Sequence, residues 1–546
     1  MKINKLDLYA PALITLYLLF QPYFLHGIID FWETGIYLPF INEVLHGKVA
    51  FKDLMLHRGP FEVYAPALLM QIFGKHLSVL TIFFYLGNIA AIIAAVYIGR
   101  EVISSRIFAY LLIPVLAAKT FPLTFYQNWG GFRFACGLIA VLCAIRFFKE
   151  KGALWLFAAA LFSACGFFFS AEIGVFSGAA IIAAIFSLKT PMQKKLRWIM
   201  FYSAGFMLIF LPVIAYLWIN AGLAAYAECM FKAPPGAWNL YHLKLIYPDY
   251  PNNIVAAFAC IFKPFTPQFI YSLPIVLYAI TAVYLFRRHT AKTENAKAPA
   301  LICLVIYAAL MYYGSLRQSN GPQFQMAMQP TLVLFFFFLE RYYFFYRRGQ
   351  TAIRNPALTR VNAAIIFITM FFLLFSSAFT LKFLRDYGND QKRFVLHLIN
   401  RGCFAEGDSI RPLTIARGRG ILTSSLQADE INSVVAYIQA KTSPLEPVFT
   451  FPNMGTFNFL FDRPCFDKFC FSDMAFYYPE WRNGFFARLN RDRPRYIVVK
   501  DEPDWLEAAL AEYPLGKYRR QVRDFIETNY QRDAVFGRIS VYSLNK

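Results

Sequence analysis

Residues 30–74 read DFWETGIYLPFINEVLHGKVAFKDLMLHRGPFEVYAPALLMQIFG, and the fold turns on this stretch. It lies between two apolar runs, 8–28 and 77–99, each long enough to cross a bilayer as a helix. The stretch itself is amphipathic. Tyr37, Phe40, Ile41 and Val44 recur at helical spacing, and so do Phe61, Tyr64, Ala65, Leu68, Leu69 and Ile72. Two helices are expected, each suited to lie flat in a membrane interface with its apolar side down. Between them run Gly47-Lys48, Asp53 and then His57-Arg58-Gly59-Pro60. Asp30 and Glu33 stand at the root of the stretch, one helical turn apart. It reads as a shaped cover over a bilayer surface, with carboxylates at its base.

The rest of the chain agrees with a membrane setting. Of 546 residues, 58% are hydrophobic, 18% aromatic and only 16% charged, against about 25% charged in an ordinary soluble domain. That composition excludes a soluble enzyme, a disordered chain and a fibrous repeat. Apolar runs fall at 8–28, 77–99, 106–121, 132–147, 153–169, 172–188, 198–219, 269–286, 298–314, 324–340 and 361–381. The expected class is an α-helical polytopic membrane protein with about 11 transmembrane helices. Lys2 and Lys5 precede the first run, which is too long for a signal-peptide core and reads as a retained anchor. The formal charge is +21. Alternate loops hold most of that excess, for instance Lys189, Lys194, Lys195 and Arg197, or Arg341, Arg347, Arg348, Arg354 and Arg360. Basic loops face the cytoplasm, so the N-terminus is expected inside and the last segment outside. The charge is therefore an orientation signal and implies no nucleic-acid partner.

Three outer segments are long: 29–76, 220–268 and 382–546. In the last, Pro and charged residues return, short β-like runs appear at 447–451, 496–500 and 539–543, and Ile431, Val434, Val435 and Ile438 mark one face of a helix at 427–440. We expect a transmembrane domain over 1–384 and an extracytoplasmic α/β domain over 385–546. Of the nine cysteines, Cys465 and Cys470 have no metal-motif spacing. They read either as a disulfide pair in an oxidising compartment, with Cys403 left over, or as free buried thiols.

Asp-x-x-Glu after the first span, Gly47-Lys48, an aromatic before Asp53, Arg58-Gly-Pro60, an aromatic helix and Phe73-Gly74 before the second span together resemble the GT-C superfamily of polyprenyl-phosphate-sugar-dependent membrane glycosyltransferases. The nearest branch is the bacterial relatives of protein mannosyltransferases and aminoarabinose transferases. The resemblance covers essentially the whole chain. It departs in three places. The first-loop acids are separated by two residues. His57-Arg-Gly-Pro60 stands where many relatives have His-x-x-Pro-Pro. Arg317-Gln-Ser-Asn320-Gly-Pro-Gln323 stands where a late loop often reads Arg-x-Asp…His.

The resemblance implies a sugar donor on a polyprenyl phosphate, a lipid, glycan or protein acceptor, and action on the outer face of a bacterial inner membrane. An acceptor hydroxyl must then lose a proton as it attacks the anomeric carbon, and one carboxylate can take it. The phosphate leaving group is already ionised and needs cations more than an acid, so single displacement with inversion is expected. Asp30 is the expected base, with Glu33 orienting it; the plainer reading is a helix cap and a solvated acid. Arg317, Arg133 and Arg58 are candidates for the phosphate, or for headgroup snorkelling. His57, Asp53, Glu172 and Lys232 complete the substrate-binding candidates. Asp53 also reads as a turn residue and Glu172 as an ordinary helix start. Lys232, near Pro234-Pro235 and Trp238, belongs to an outer loop suited to closing over the donor. No clustered His/Cys ligand set is visible, and no cofactor is assigned. Some members of the superfamily use a divalent cation with first-loop acids, so the resemblance leaves a cation open. A lipid-linked glycan flippase, or a non-catalytic sugar-binding scaffold, is the alternative class. A flippase predicts internal repeats and charged, broken helices, against which the long first loop and the outer domain stand.

Overall fold

The computed structural model describes residues 29–56, 58–120, 130–241, 251–261, 267–290, 297–316, 321–350, 410–501 and 513–545. The expected spans at 8–28 and 361–381, together with His57, Arg317 and Cys403, lie outside the described residues.

Apolar helices follow the expected runs closely. They include Leu77–Val102, Arg106–Thr120, Phe132–Glu150, Ala153–Phe169, Ala171–Phe186, Met192–Asn220, Pro267–Thr290 and Lys297–Ser315. Among the described residues, three are long and apolar enough to cross a membrane by length and composition: Leu77–Val102, Met192–Asn220 and Lys297–Ser315. Small residues set the packing distance. Ala140, Ala144, Ala159, Ala160, Ala180 and Ala184 are fully buried, as expected where helices approach closely without a hydrophobic drive from lipid.

One expected run is divided. The stretch 324–340 forms Gly321–Ala327 and then a separate helix, Gln329–Gln350. Pro330 has no N–H to give the preceding turn, so the first helix stops and a new one starts on Gln329.

The C-terminal α/β domain is built on a four-stranded mixed sheet. Phe449–Phe451 pairs in parallel with Tyr496–Lys500, which is antiparallel to Ile539–Leu544, which is antiparallel to Tyr530–Phe536. Three of these strands are legible in the sequence. Tyr530–Phe536 is not, because it is a largely exposed edge strand and its charged residues break the apolar alternation. The expected helix runs over Ser425–Lys441, with the Ser424 hydroxyl accepting from the Gln427 N–H and Ile431, Val434, Val435 and Ile438 buried.

The segment 29–76 contains both expected helices, Leu38–Leu45 and Phe61–Phe73. The first is packed on its polar side as well. Its polar residues Asn42 and Glu43 are fully buried, because the C-terminal domain covers them. Asn42 Nδ2 donates to the Asn458 and Arg463 carbonyls at 3.3 and 3.0 Å. Gly35 and Gly455 make the close approach possible. A Cβ on Gly35 would stand 2.6 Å from the Asn453 carbonyl oxygen, and one on Gly455 would stand 2.7 Å from the Pro39 ring. Further ties run from the Ile29 N–H to Gln427 Oε1 at 2.8 Å and between the Thr34 and Thr456 hydroxyls at 2.6 Å. The loop that carries the acids is thus the floor of the C-terminal domain.

Candidate active site

Asp30 and Glu33 take different roles. Asp30 caps the short helix Phe31–Gly35, its Oδ1 accepting the N–H groups of Trp32 at 2.9 Å and Glu33 at 3.4 Å. The helix turns the Glu33 side chain inward, leaving it 7% exposed. Its Oε2 has no hydrogen-bond partner among the described residues. Burial, reinforced by the negative charge of Asp30, pushes the Glu33 carboxyl up to about 7, while Arg58 and Arg133 act in the opposite sense.

Two arginines and a second glutamate complete the cluster. Arg58 Nε lies 3.8 Å from Glu62 Oε2, and Arg133 Nε lies 4.0 Å from Glu62 Oε1. Glu62 and Arg133 are each 2% exposed. Glu62 Oε2, Arg58 Nε and the Tyr37 hydroxyl are also buried without a hydrogen-bond partner among the described residues. Burial raises the Glu62 carboxyl, and the two arginines oppose it. Such loose ion pairs, around oxygens and nitrogens with unused capacity, are the expected form of a site built for a polar ligand.

Glycines bring these charges together. A Cβ on Gly59 would fall 2.1 Å from the Phe168 carbonyl oxygen, so the Arg58-Gly59-Pro60 turn rests directly on the end of helix Ala153–Phe169. Phe61 packs on Phe168 and Phe169, each at 5.5 Å between ring centroids. On the other side, the Gly130-Gly131 turn has positive φ at both residues, and the Gly131 N–H donates to Asn88 Oδ1 at 2.7 Å. A Cβ on Gly87 would stand 2.3 Å from the Phe132 nitrogen. This contact seats the start of helix Phe132–Glu150 and with it Arg133. Gly59→Ala is accordingly expected to destabilise the protein by about 2 kcal/mol or more and to displace Arg58; thermal unfolding in detergent, with and without substrate, measures both.

The remaining candidates are distributed as follows. Glu172 is exposed in the first turn of Ala171–Phe186, and its charge acts on both Arg58 and Glu62, so it borders the cluster. Asp53 is exposed, and its Oδ2 closes a turn by accepting the Val49 N–H at 2.8 Å. Lys232 faces the C-terminal domain. Its Nζ is 2.5 Å from Glu480 Oε1 and lies over the Tyr478 and Trp481 rings. Sequence reasoning misses Glu62, although it is the one charged residue in the otherwise apolar helix FEVYAPALLMQIF, and a lone acid in such a run is a signal in its own right. It also gives Tyr37 no role beyond the apolar face.

No family model matches the chain, and no curated protein matches it. Solved structures do. The chain is similar to ArnT from Cupriavidus metallidurans bound to undecaprenyl phosphate, at a TM-score of 0.51 and 13% identity over 98% of this chain and 97% of the other. It is also similar to the same protein in the apo state, at a TM-score of 0.50 and 13% identity over the same shares. The likeness is one of fold, over nearly the whole length of both chains.

Proposed function

We propose that this protein is an inverting glycosyltransferase. It moves a sugar from a polyprenyl-phosphate donor to a hydroxyl of a lipid, glycan or protein acceptor on the outer face of a bacterial inner membrane. The observation that carries the reading is Glu33, buried at the root of the first outer loop beside Arg58 and Arg133, with one carboxylate oxygen unused among the described residues. That ArnT, of the same fold, was crystallised with undecaprenyl phosphate supports the donor class.

Each group then has a task. Glu33, near neutrality in its titration, takes the proton of the acceptor hydroxyl as that oxygen attacks the anomeric carbon. Asp30 holds the helix that aims Glu33, so the base role moves from the first acid to the second. Arg58 and Arg133 take the phosphate oxygens, the guanidinium fork matching two at once. Glu62 keeps the two guanidinium groups in place and yields to the phosphate when the donor enters. The leaving phosphate needs no proton, so one base suffices.

The test is transfer by the purified protein in detergent from a polyprenyl-phosphate sugar, followed by mass analysis of the product. A new glycosidic bond with inverted anomeric configuration is expected. Movement of a labelled lipid glycan across vesicles without any new bond would show a flippase instead. Arg58→Ala is expected to raise the donor KM about 10- to 100-fold, the scale of a lost charge-assisted hydrogen bond, while leaving the acceptor KM near its original value. A larger effect on the acceptor would overturn the phosphate assignment.

A further inference from the structure

A second cluster lies on the same loop, away from Glu33. Glu43 of helix Leu38–Leu45 meets Cys465 and Cys470 of the C-terminal domain. One ligand atom from each, the two sulfurs and a carboxylate oxygen, lie within 4.8 Å of one another, and all three residues are buried. The cysteines sit on one tight turn. Asp467 Oδ1 accepts the Phe469 N–H at 3.1 Å, and Cys470 Sγ donates to the Asp467 carbonyl at 3.7 Å. Glu43 Oε1 accepts the Cys465 N–H at 2.5 Å, which holds the carboxylate against the turn, and Lys48 Nζ lies 2.5 Å from Oε2.

We propose that Cys465, Cys470 and Glu43 form a zinc site that fastens the first outer loop to the C-terminal domain. Zinc bonds of about 2.3 Å to sulfur and 2.0–2.2 Å to oxygen put tetrahedral ligands roughly 3.5–3.8 Å apart, within the spread already present. Two thiolates, one carboxylate and Zn²⁺ sum to one negative charge, and the Lys48 ammonium cancels it inside a buried seam. Binding releases the two thiol protons to solvent, and water fills the fourth position. A disulfide between the cysteines has no use for a buried carboxylate within 4.8 Å of both sulfurs, whereas a metal does. The sequence conceals the site because Glu43 lies 422 residues before Cys465, and the Cys-x4-Cys spacing alone matches no zinc motif. The proposal is independent of the proposed activity.

The test uses the full chain in detergent, reduced, stripped with a chelator and titrated with Co²⁺ and then Zn²⁺. One equivalent of Co²⁺ is expected to bind with thiolate-to-cobalt charge-transfer absorption, and an equal amount of Zn²⁺ is expected to erase it. Zn²⁺ is expected to protect Cys465 and Cys470 from alkylation, read peptide by peptide in the unaltered protein, and to raise Tm. Cys470→Ser should remove the absorption, and Glu43→Gln should weaken Zn²⁺ binding at least about 10-fold while preserving the fold. Absence of the absorption in the reduced protein would overturn the proposal. So would its persistence in the Cys465→Ser, Cys470→Ser double variant, or a Cys465–Cys470 disulfide in protein from zinc-supplemented cells.

Discussion

Glu33→Gln is expected to lower turnover at least about 10³-fold, the upper range for loss of a positioned general base, while making the protein more resistant to heat above neutral pH. The two effects have one cause. The folded protein holds the Glu33 proton more tightly than the unfolded chain does, with the carboxyl raised from 4.5 to about 7. For a carboxyl shifted in that direction the folded state binds the extra proton between those two values. Stability therefore falls as pH rises through that window, and the full penalty, of order 3 kcal/mol, is present above pH 7. Glutamine carries no charge to bury. Its Tm should decline less between pH 5 and 8 than that of the wild type, and the wild-type kcat/KM should rise with pH toward a plateau above about 7. Full activity in Glu33→Gln would remove Glu33 from the base role. In that event Asp30→Asn is the next variant to assay, and loss of turnover there with the fold intact would return the role to the capping acid.

Arg519→Leu is expected to be among the most destabilising single changes in the chain, by about 3–5 kcal/mol. Arg519 and Asp473 are buried to 1% and 0% side-chain exposure, with Arg519 Nη2 2.7 Å from Asp473 Oδ2. Asp473 is also held by Tyr241 Oη at 2.9 Å and by Asn453 Nδ2 at 2.7 Å. Removing the guanidinium leaves a buried carboxylate with neutral donors alone. The pair joins three regions, since Arg519 also lies over the Trp32 ring, and Trp32 packs edge-on against Tyr241 and Phe471. Trp32 neighbours Glu33 in sequence, so loosening this seam should lower kcat as well as Tm. The double variant Asp473→Asn, Arg519→Leu, assayed by thermal unfolding, should recover much of the lost stability. A double variant no more stable than the single one would mean that lost packing, and not the stranded charge, causes the destabilisation.

Much of this architecture is legible because it is local. Hydrophobic period locates the helices, and the first loop announces its two short helices and its acids. What stays hidden depends on backbone approach between distant segments. Arg58, Glu62 and Arg133 converge because Gly59 and Gly87 let carbonyls and amides come within the reach of a methyl group, and no spacing rule in one segment reports that. The polar side of Leu38–Leu45 looks in sequence like a surface facing water. It is covered by the C-terminal domain, and Asn42 and Glu43 find their partners there. Spacing places Asp30 and Glu33 one turn apart, but the direction of a five-residue helix makes Asp30 the cap and turns Glu33 away from solvent.

The hydrogen bond from Ile29 to Gln427 closes a loop of 398 residues, and that span has a consequence for how the protein is made. Synthesis delivers the acid-bearing loop long before the domain that roofs it. Until the domain that begins at Ile410 emerges and docks, Asn42, Glu43 and Thr34 lack the partners that justify their burial. Assembly of so distant a contact pays its loop-closure entropy late. A chain that stops short of that domain therefore leaves the polar side of Leu38–Leu45 without its covering.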